Sequence, residues 1–247
     1  MADACSPCKR ALRAALLAPL VLRSAHDGAV PPSCCDADYD AMFDARSARR
    51  QLAAYRRSGP MGTTRRLIDA IKAAGVDGAS VLDIGGGVGV IGFELLAAGA
   101  DHLMDVDAAR AYVAVARRES TRRGLDDRAS FRHGDFVTLA EEVDAADIVT
   151  LDRVICCYPD WESLVRVSAS KVGRLYAFSL PHDRWYVRTA VAISNLVRRL
   201  RGDDLRVFVH PVGEIDGMLV ARGFRRIARR RTFVWHIALY RSAEPAL

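Results

Sequence analysis

The chain has 247 residues, of which 51% are hydrophobic, and its formal net charge is +6. This length suits one α/β domain with an extra arm, and the apolar content excludes an intrinsically disordered chain. No apolar run reaches the roughly 18 residues that a membrane-spanning helix needs, so we expect no membrane span.

The N-terminal region is expected to consist of a leader followed by an arm. Residues 1–35 are predicted to be loosely ordered and end at a double-proline break. Residues 39–57 are predicted to form a short helical arm, because their apolar residues are spaced among Arg and Asp. We therefore divide the chain into a leader and helical arm or lid, residues 1–62, and a main domain, residues 63–247.

Strand-length apolar runs alternate with helical patterns through the main domain. A helix capped by Thr63 or Thr64 is predicted to come first and to run to Ala74. The elements predicted after it are the strands Ser80–Ile84, Leu103–Asp107, Ala129–His133, Asp147–Asp152, Arg174–Leu180, Phe224–Arg231 and Thr232–Tyr240, and the helices Val88–Ala98, Ala109–Arg123, Trp161–Ala169, Trp185–Leu200 and Pro211–Arg222.

This alternation predicts a seven-stranded, mostly parallel sheet with helices on both faces. The last two strands are separated only by a tight turn, so one of them must run antiparallel to the rest. This ending resembles that of the class I methyltransferase sheet and differs from that of a dinucleotide-binding sheet.

A glycine-rich segment follows the first predicted strand and precedes a helix. Glycines let the backbone approach a ligand closely, and a helix N-terminus offers unpaired N–H groups. Residues 87–92 match the dinucleotide fingerprint G-x-G-x-x-G, but two further glycines already lie between them and the strand. The loop alone therefore leaves two ligands open, a dinucleotide and S-adenosylmethionine (SAM).

The pattern Asp83, Gly85, Gly87 and Gly89 resembles the first motif of the class I SAM-dependent methyltransferases. The resemblance implies the Rossmann-like sheet of that class, with SAM as the cofactor. It also implies that these four residues handle the amino-acid end of the cofactor.

Three further positions fall where the resemblance needs them. Asp107 ends the second strand, where the family places an acid on both ribose hydroxyls, although NAD enzymes place an acid similarly. Asp135 and Phe136 follow the third strand, where the family binds the adenine amine and packs an apolar residue on the ring. Asp152 follows the fourth strand, where the family lines the reacting centre. Asp135 and Asp152 could also be ordinary loop caps.

A closer similarity links residues 36–240 to the magnesium-protoporphyrin O-methyltransferase family. The stretches that carry it are Tyr39 to Asp44, Tyr55 to Gly59, Thr64-Arg65, the glycine motif and Pro181 to Pro211. The resemblance implies methylation of a tetrapyrrole propionate, with the N-terminal arm as a lid. The family's His-Tyr pair after the fourth strand is replaced here by Cys157 and Tyr158, so we expect a different acceptor.

Candidate reacting groups follow the fourth and fifth strands and lie on the arm. We expect catalytic roles for Asp152, Tyr158 and Tyr39, the last closing over the site. The residues expected to contact the acceptor are Arg153, Cys157, His182 and Trp185. Some have plainer interpretations, because free Cys is often simply buried and Trp185 could anchor its helix in the core.

The chain is therefore predicted to transfer a methyl group from SAM to a small-molecule acceptor, with O-methylation favoured. An RNA or protein methyltransferase is an alternative, because residues 198–231 hold ten Arg against four acids. These arginines lack interleaved aromatic residues, so we expect no nucleic-acid partner. A non-catalytic SAM-binding protein is a third hypothesis. An NAD(P)-dependent oxidoreductase is a fourth, but this sequence has no Tyr-x-x-x-Lys pair to serve as its base.

Six cysteines fall in three close pairs, Cys5/Cys8, Cys34/Cys35 and Cys156/Cys157. Their spacing fits no zinc site, so no metal is expected. Residues 9–23 only loosely imitate an export signal, because no clean cleavage site follows them. A free-thiol, cytoplasmic protein is the expectation.

Overall fold

A computed structural model describes residue 40, residues 43–202 and residues 206–243. Residues 38–247 form one compact unit. The expected catalytic residue Tyr39 and the cysteine pairs Cys5/Cys8 and Cys34/Cys35 lie outside the described residues.

Seven strands form one sheet in the order β3-β2-β1-β4-β5-β7-β6. The strands are β1 Ser80–Ile84, β2 His102–Asp107, β3 Ala129–His133, β4 Ala146–Asp152, β5 Val172–Pro181, β6 Phe224–Arg231 and β7 Trp235–Ser242. Strands β1 to β5 pair in parallel, whereas β7 runs antiparallel to both β5 and β6. The predicted mixed sheet is therefore confirmed, with β7 as the antiparallel strand.

Helices cover both faces of the sheet, as the alternating pattern predicts. They are α1 Ala45–Ser58, α2 Gly62–Ala74, α3 Val90–Leu96, α4 Arg110–Arg122, α5 Phe136–Leu139, α6 Trp161–Ala169, α7 Trp185–Leu200 and α8 Val212–Ala221. Two short 3₁₀ turns, Ala140–Glu142 and Ile155–Cys157, and helix α5 have no counterpart in the predicted elements. Four-residue helices leave too little periodicity to be seen in a sequence.

Several boundaries differ from the prediction by a few residues, and two of these differences have local explanations. Helix α3 begins at Val90 and not at Val88, because Gly89 before it is left-handed, with φ of 82°. Strand β7 begins at Trp235, three residues later than predicted. Thr232 and Trp235 close the turn instead, since the backbone N–H of each donates at 2.9 Å, Thr232 to the Trp235 carbonyl and Trp235 to the Thr232 hydroxyl.

The core is divided between the two faces of the sheet. On one face, α1 to α4 pack over Val81, Leu103, Ile148 and Leu175. On the other face, α5, α6 and α8 contribute to a second cluster, which includes Leu82. Helix α7 has 16 residues, of which only Val187 is buried.

The described part of the arm is an integral layer of this fold. Helix α1 lies against α4, where the Gln51 amide donates to the Tyr112 hydroxyl at 2.8 Å. Glu119 of α4 is fully buried and pairs with Arg122, Arg56 and Arg123. These guanidinium groups, Arg122 foremost, hold the pKa of Glu119 well below its usual value.

Within the part of the chain that the structure describes, no helix is both long and apolar enough to cross a bilayer.

Candidate active site

One edge of the sheet gathers a cluster of buried and half-buried polar side chains. Side chains alternate between the faces of a strand, and parallel strands end at the same edge, so polar residues at equivalent positions converge. The convergent residues on β2, β1, β4 and β5 are Asp105, Asp107, Asp83, Thr150, Asp152 and Ser179.

The glycine loop is tightly packed and its conformation needs glycine. Gly85 has φ of +67°, and a Cβ placed on it would lie 2.4 Å from the side chain of Val154. Gly89 has φ of +82°, and a Cβ there would lie 2.6 Å from the ring of Phe93. Both positions therefore exclude any larger residue for two reasons, backbone strain and collision.

The amides of the motif glycines are already used within the protein. Gly85 donates to the Val106 carbonyl at 2.7 Å, and Gly87 donates to the Asp107 carboxylate at 2.9 Å. Gly89 donates to the Gly86 carbonyl at 3.0 Å. A pyrophosphate needs such amides free, so this arrangement disfavours a dinucleotide and suits a cofactor without phosphates.

Asp83 presents an unused acceptor behind the loop. Its Oδ1 accepts from the Thr150 hydroxyl at 2.5 Å, whereas its buried Oδ2 has no hydrogen-bond partner. Burial raises the pKa of Asp83 to about 7. A buried acceptor of this kind favours a cationic group nearby, such as the ammonium of SAM.

Asp107 both shapes the loop and remains able to bind. Its Oδ2 accepts from the Gly87 amide at 2.9 Å and its Oδ1 from the Ala109 amide at 2.7 Å. Each carboxylate oxygen can accept a second hydrogen bond, which leaves one position per oxygen for a ribose hydroxyl. Burial also raises the pKa of Asp107.

Asp105 is a buried acid that the sequence reasoning missed. It lies opposite Asp83 in the parallel pairing of β1 and β2, it is fully buried, and neither of its oxygens has a partner. A Cβ on Gly86 would come within 2.3 Å of its carboxylate. Burial raises the pKa of Asp105 well above its usual value. The sequence feature that could have identified Asp105 is an acid at an inward-facing position of a buried strand.

Asp135 is held by its own helix and by Tyr158. The carboxylate caps α5 by accepting from the Val137 amide at 3.0 Å. The Tyr158 hydroxyl donates to both of its oxygens, at 3.1 and 2.9 Å. Phe136 is only 3% exposed, so most of its ring belongs to the core. This arrangement places Tyr158 at the acid proposed to bind adenine.

Changing Tyr158 to Phe is expected to weaken SAM binding by roughly three- to tenfold, because Asp135 loses one charge-assisted hydrogen bond that orients it. Turnover at saturating SAM should change little. Calorimetric titration with SAM and a kinetic assay measure the two effects, and Tyr186→Phe serves as the matched control. A fall in turnover at unchanged SAM affinity would instead place Tyr158 at the reacting methyl group.

Asp152 is fixed by two hydroxyls that the sequence did not indicate. Its Oδ2 accepts from Thr64 at 2.6 Å, and its Oδ1 accepts from Ser179. The prediction of Thr64 as a helix cap is wrong, because α2 already starts at Gly62 with Met61 as its cap. Thr64 therefore ties α2 to the end of β4, and Asp152 is held in one orientation.

Arg153 has an unusual backbone conformation beside Asp152. It has φ of 62°, and no other non-glycine residue among those described has a positive φ. Its amide donates to the Ser179 carbonyl at 3.1 Å and hydroxyl at 3.2 Å. Its buried Nε makes no hydrogen bond and lies 3.5 Å from the Asp152 carboxylate. Strain of this kind concentrates at functional sites.

The cysteine pair occupies the 3₁₀ turn that follows Arg153. The two sulfur atoms are 3.8 Å apart, and the Cys156 thiol donates to the Arg153 carbonyl at 3.4 Å. Cys156 is buried and Cys157 is partly exposed. The Cys156 hydrogen bond and the nearby Arg198 and Arg153 charges lower the pKa of Cys157. Cys157 therefore lies next to the Arg153 turn, and its contact with the methyl acceptor stays a prediction.

The two candidates after β5 have opposite environments. His182 is 7% exposed, and its ring packs edge-on against Tyr186 with centroids 5.7 Å apart. Trp185 is 78% exposed, so the interpretation that it anchors α7 in the core is wrong. His182 thus remains close to the strand ends, whereas Trp185 forms part of the outer surface.

The sequence matches the family described as "Methyltransferase domain" over residues 81–171, from β1 to the start of β5. The chain carries a class I methyltransferase domain. Its cofactor is SAM. SAM is bound in a solved structure of a magnesium protoporphyrin IX methyltransferase to which this chain is similar. Comparison with curated proteins gives no match.

Solved structures place this methyltransferase domain among others of the same fold. The magnesium protoporphyrin IX methyltransferase of Synechocystis with bound S-adenosylhomocysteine is 18% identical, with 88% of this chain and 90% of that one covered at a TM-score of 0.57. An O-methyltransferase family protein of Burkholderia thailandensis is 18% identical, and the match covers 83% of this chain and 62% of that one at a TM-score of 0.63. A candidate RNA methyltransferase of Pyrococcus horikoshii is 15% identical, and the match covers 72% of this chain and 81% of that one at a TM-score of 0.53. Identities this low show the fold alone.

Proposed function

We propose that this methyltransferase transfers the methyl group of SAM to a carboxylate oxygen of a small-molecule acceptor that Arg153 holds. The observation that carries the proposal is the strained turn at Arg153, whose guanidinium lies beside Asp152 at the end of β4 and keeps a buried Nε without a hydrogen bond. Arginine matches a carboxylate through paired, charge-assisted hydrogen bonds.

The cofactor side of the proposed site is formed by the residues that the family motif indicates. Gly85, Gly87 and Gly89 shape the loop, Asp83 faces the ammonium, and Asp107 accepts from the ribose hydroxyls. Asp135, oriented by Tyr158, accepts from the adenine amine. SAM supplies a methyl group that is already activated on sulfur, so the protein mainly positions the acceptor and excludes water.

The state of Asp152 supports a carboxylate acceptor. Its oxygens are held by Thr64 and Ser179, and its Oδ2 lies 3.5 Å from the Arg153 Nε, so the contacts of this carboxylate support the turn and we assign it no proton transfer. A carboxylate needs no deprotonation before it attacks a methyl group, whereas a phenol or an amine benefits from a base. Asp152 is then a positioning residue that holds the Arg153 turn.

The protoporphyrin enzyme of Synechocystis gives this proposal a precedent in the same fold. The Cys156-Cys157 pair, which stands where that family has His, argues for an acceptor other than a tetrapyrrole. The thiol content also fits our proposal that the protein works in the cytoplasm.

The test is the variant Arg153→Gln, which keeps a non-glycine residue in the left-handed turn. We expect the acceptor KM to rise roughly tenfold or more, because a charged hydrogen bond contributes about 1.5–3 kcal/mol, while the Kd for SAM stays unchanged. The assay measures S-adenosylhomocysteine formed from a panel of carboxylate metabolites. Arg166→Gln, an exposed position on α6, is the matched control.

Two results would contradict this proposal. One is methyl transfer to amines alone. The other is an Arg153→Gln variant whose acceptor KM equals that of the wild type. If no acceptor yields S-adenosylhomocysteine while SAM still binds, the non-catalytic alternative is supported.

A second candidate, RNA methylation, rests on the arginines of β6, where Arg225, Arg229 and Arg230 are exposed. It predicts binding to bulk RNA that weakens steeply with salt, and incorporation of labelled methyl groups into RNA.

A further inference from the structure

Helix α7 leaves a long apolar stripe uncovered. At 100° per residue, Trp185, Ile193, Leu196 and Leu200 fall within roughly 80° of one another on the helix. Their exposed fractions are 78%, 58%, 56% and 79%. A stripe of this kind is normally buried in a soluble protein, so it marks a surface for an apolar partner.

The orientation of this stripe is fixed by contacts on the opposite side of the helix. Val187 is buried against the domain. The Asn195 side chain donates to the Val207 carbonyl at 2.8 Å and accepts from the Val207 amide at 3.0 Å. The helix therefore cannot turn its apolar side inward without breaking these bonds.

The turn between β6 and β7 extends the same surface. Phe233 is 78% exposed, and its ring stacks on Tyr186 of α7 with centroids 4.9 Å apart. The Tyr186 hydroxyl donates to the Phe233 carbonyl at 3.0 Å, and Trp185 packs edge-on against Tyr186 at 5.9 Å. Aromatic and aliphatic side chains are thus joined into one surface, which we call the α7 surface.

Arginines outnumber acids around the α7 surface, where the exposed Asp183 precedes the helix. Residues 184–201 contain five Arg, and residues 224–243 contain six, with no Asp or Glu in either segment. Arg188 and Arg199 flank the apolar stripe and are exposed, and Arg231 is exposed next to the turn that carries Phe233. An apolar stripe with aromatic residues and flanking arginines is the pattern of a helix that lies in a membrane interface.

We propose that the α7 surface docks on a lipid membrane with anionic headgroups. The apolar stripe, Trp185 and Phe233 would enter the interface, while Arg188, Arg199 and Arg231 pair with phosphates. Strands β5 and β6 end at the edge of the sheet that holds Asp152 and Ser179, and α7 and the turn follow them directly. Docking therefore brings the site edge near the bilayer, whatever the acceptor is.

Two other occupants fit the surface less well. In a two-fold dimer the same patch meets itself, so the arginines of one copy would face those of the other. RNA would engage the arginines and aromatic rings, but Ile193, Leu196 and Leu200 offer it neither stacking nor charge.

The test is co-sedimentation of the full chain with vesicles of phosphatidylcholine alone or of phosphatidylcholine mixed with phosphatidylglycerol. We expect binding to the anionic vesicles, weakened by salt, and little binding to phosphatidylcholine alone. The double variant Leu196→Glu/Leu200→Glu should lower the partition coefficient at least roughly tenfold, because two exposed apolar groups no longer enter the bilayer. Arg188→Gln/Arg199→Gln should lower binding to anionic vesicles only.

The matched control is Val220→Glu, a 61% exposed apolar position on α8 that precedes the opposite end of β6. It should bind vesicles like the wild type. Thermal unfolding and SAM binding confirm that each variant is folded. The proposal is overturned if the wild type does not bind anionic vesicles, or if the Leu196→Glu/Leu200→Glu variant binds them equally well. It is also overturned if the wild type forms a dimer that the Leu196→Glu/Leu200→Glu variant dissociates. RNA binding that the Leu196→Glu/Leu200→Glu variant leaves intact would overturn it as well.

Discussion

Changing Asp107 to Ala is expected to lower the affinity for SAM at least about a hundredfold. The variant loses the two charge-assisted hydrogen bonds that we propose Asp107 makes to the ribose, each of which contributes about 1.5–3 kcal/mol. It also leaves the amides of Gly87 and Ala109 without the acceptor that they have in the folded protein. Calorimetric titration with SAM and with S-adenosylhomocysteine should show a similar loss for both, because they share the ribose.

The control for this variant is Asp101→Ala, which removes an exposed acid just before β2. It should bind SAM like the wild type. A folded Asp107→Ala protein that retains wild-type affinity would show that the ribose is held elsewhere, and would reopen the assignment of the loop.

The Asp105→Asn variant is expected to remove much of the decrease in stability that the wild type shows as the pH rises. Asp105 and Asp83 are fully or almost fully buried, on neighbouring strands, and three of their four oxygens have no partner. In the folded state burial raises both pKa values, that of Asp83 to about 7 from 3.8. In the unfolded chain both groups lose their protons near pH 4.

The folded protein therefore binds more protons than the unfolded chain between about pH 4 and pH 7, and its stability decreases with pH across that range. A pKa raised by about three units, as for Asp83, corresponds to about 4 kcal/mol at high pH. Asn at position 105 stays neutral, so the variant should be more stable than the wild type near pH 8.5 and similar to it near pH 5.

Urea unfolding at these two pH values measures the difference. Asp144→Asn, at an exposed position before β4, should leave the pH dependence unchanged. If the wild type is as stable near pH 8.5 as near pH 5, the two buried acids are not protonated in the folded state. SAM is a cation at sulfur and at its ammonium, so its binding should also lower the pKa of Asp83 and release protons.

The strands and their order along the chain could be predicted because apolar runs of four to eight residues stand out between glycines and polar turns. The antiparallel ending was also predictable, since no helix fits between β6 and β7. The proposed cofactor residues Asp83 and Asp107 could be singled out because they are tied to strand ends and glycines, which are local features.

The contacts that link distant segments could not be predicted. Thr64 reaches Asp152 across 88 positions of the chain, and Ser179 reaches it from the next strand. In the sequence, Thr64 has the features of a helix cap, which is a local role that the fold does not use. The interpretation of Trp185 as an anchor in the core was wrong for a similar reason. Periodicity shows that a helix is amphipathic without showing which side of it is covered.

The left-handed turn at Arg153 has a consequence for how this protein can change. A left-handed backbone costs a non-glycine residue about 1–2 kcal/mol, so Arg153→Gly would relieve strain without touching the core. Selection for heat resistance alone would therefore favour losing the guanidinium. If Arg153 holds the acceptor as we propose, a chain that keeps arginine there has a less stable fold, and thermal stability and acceptor recognition compete at position 153.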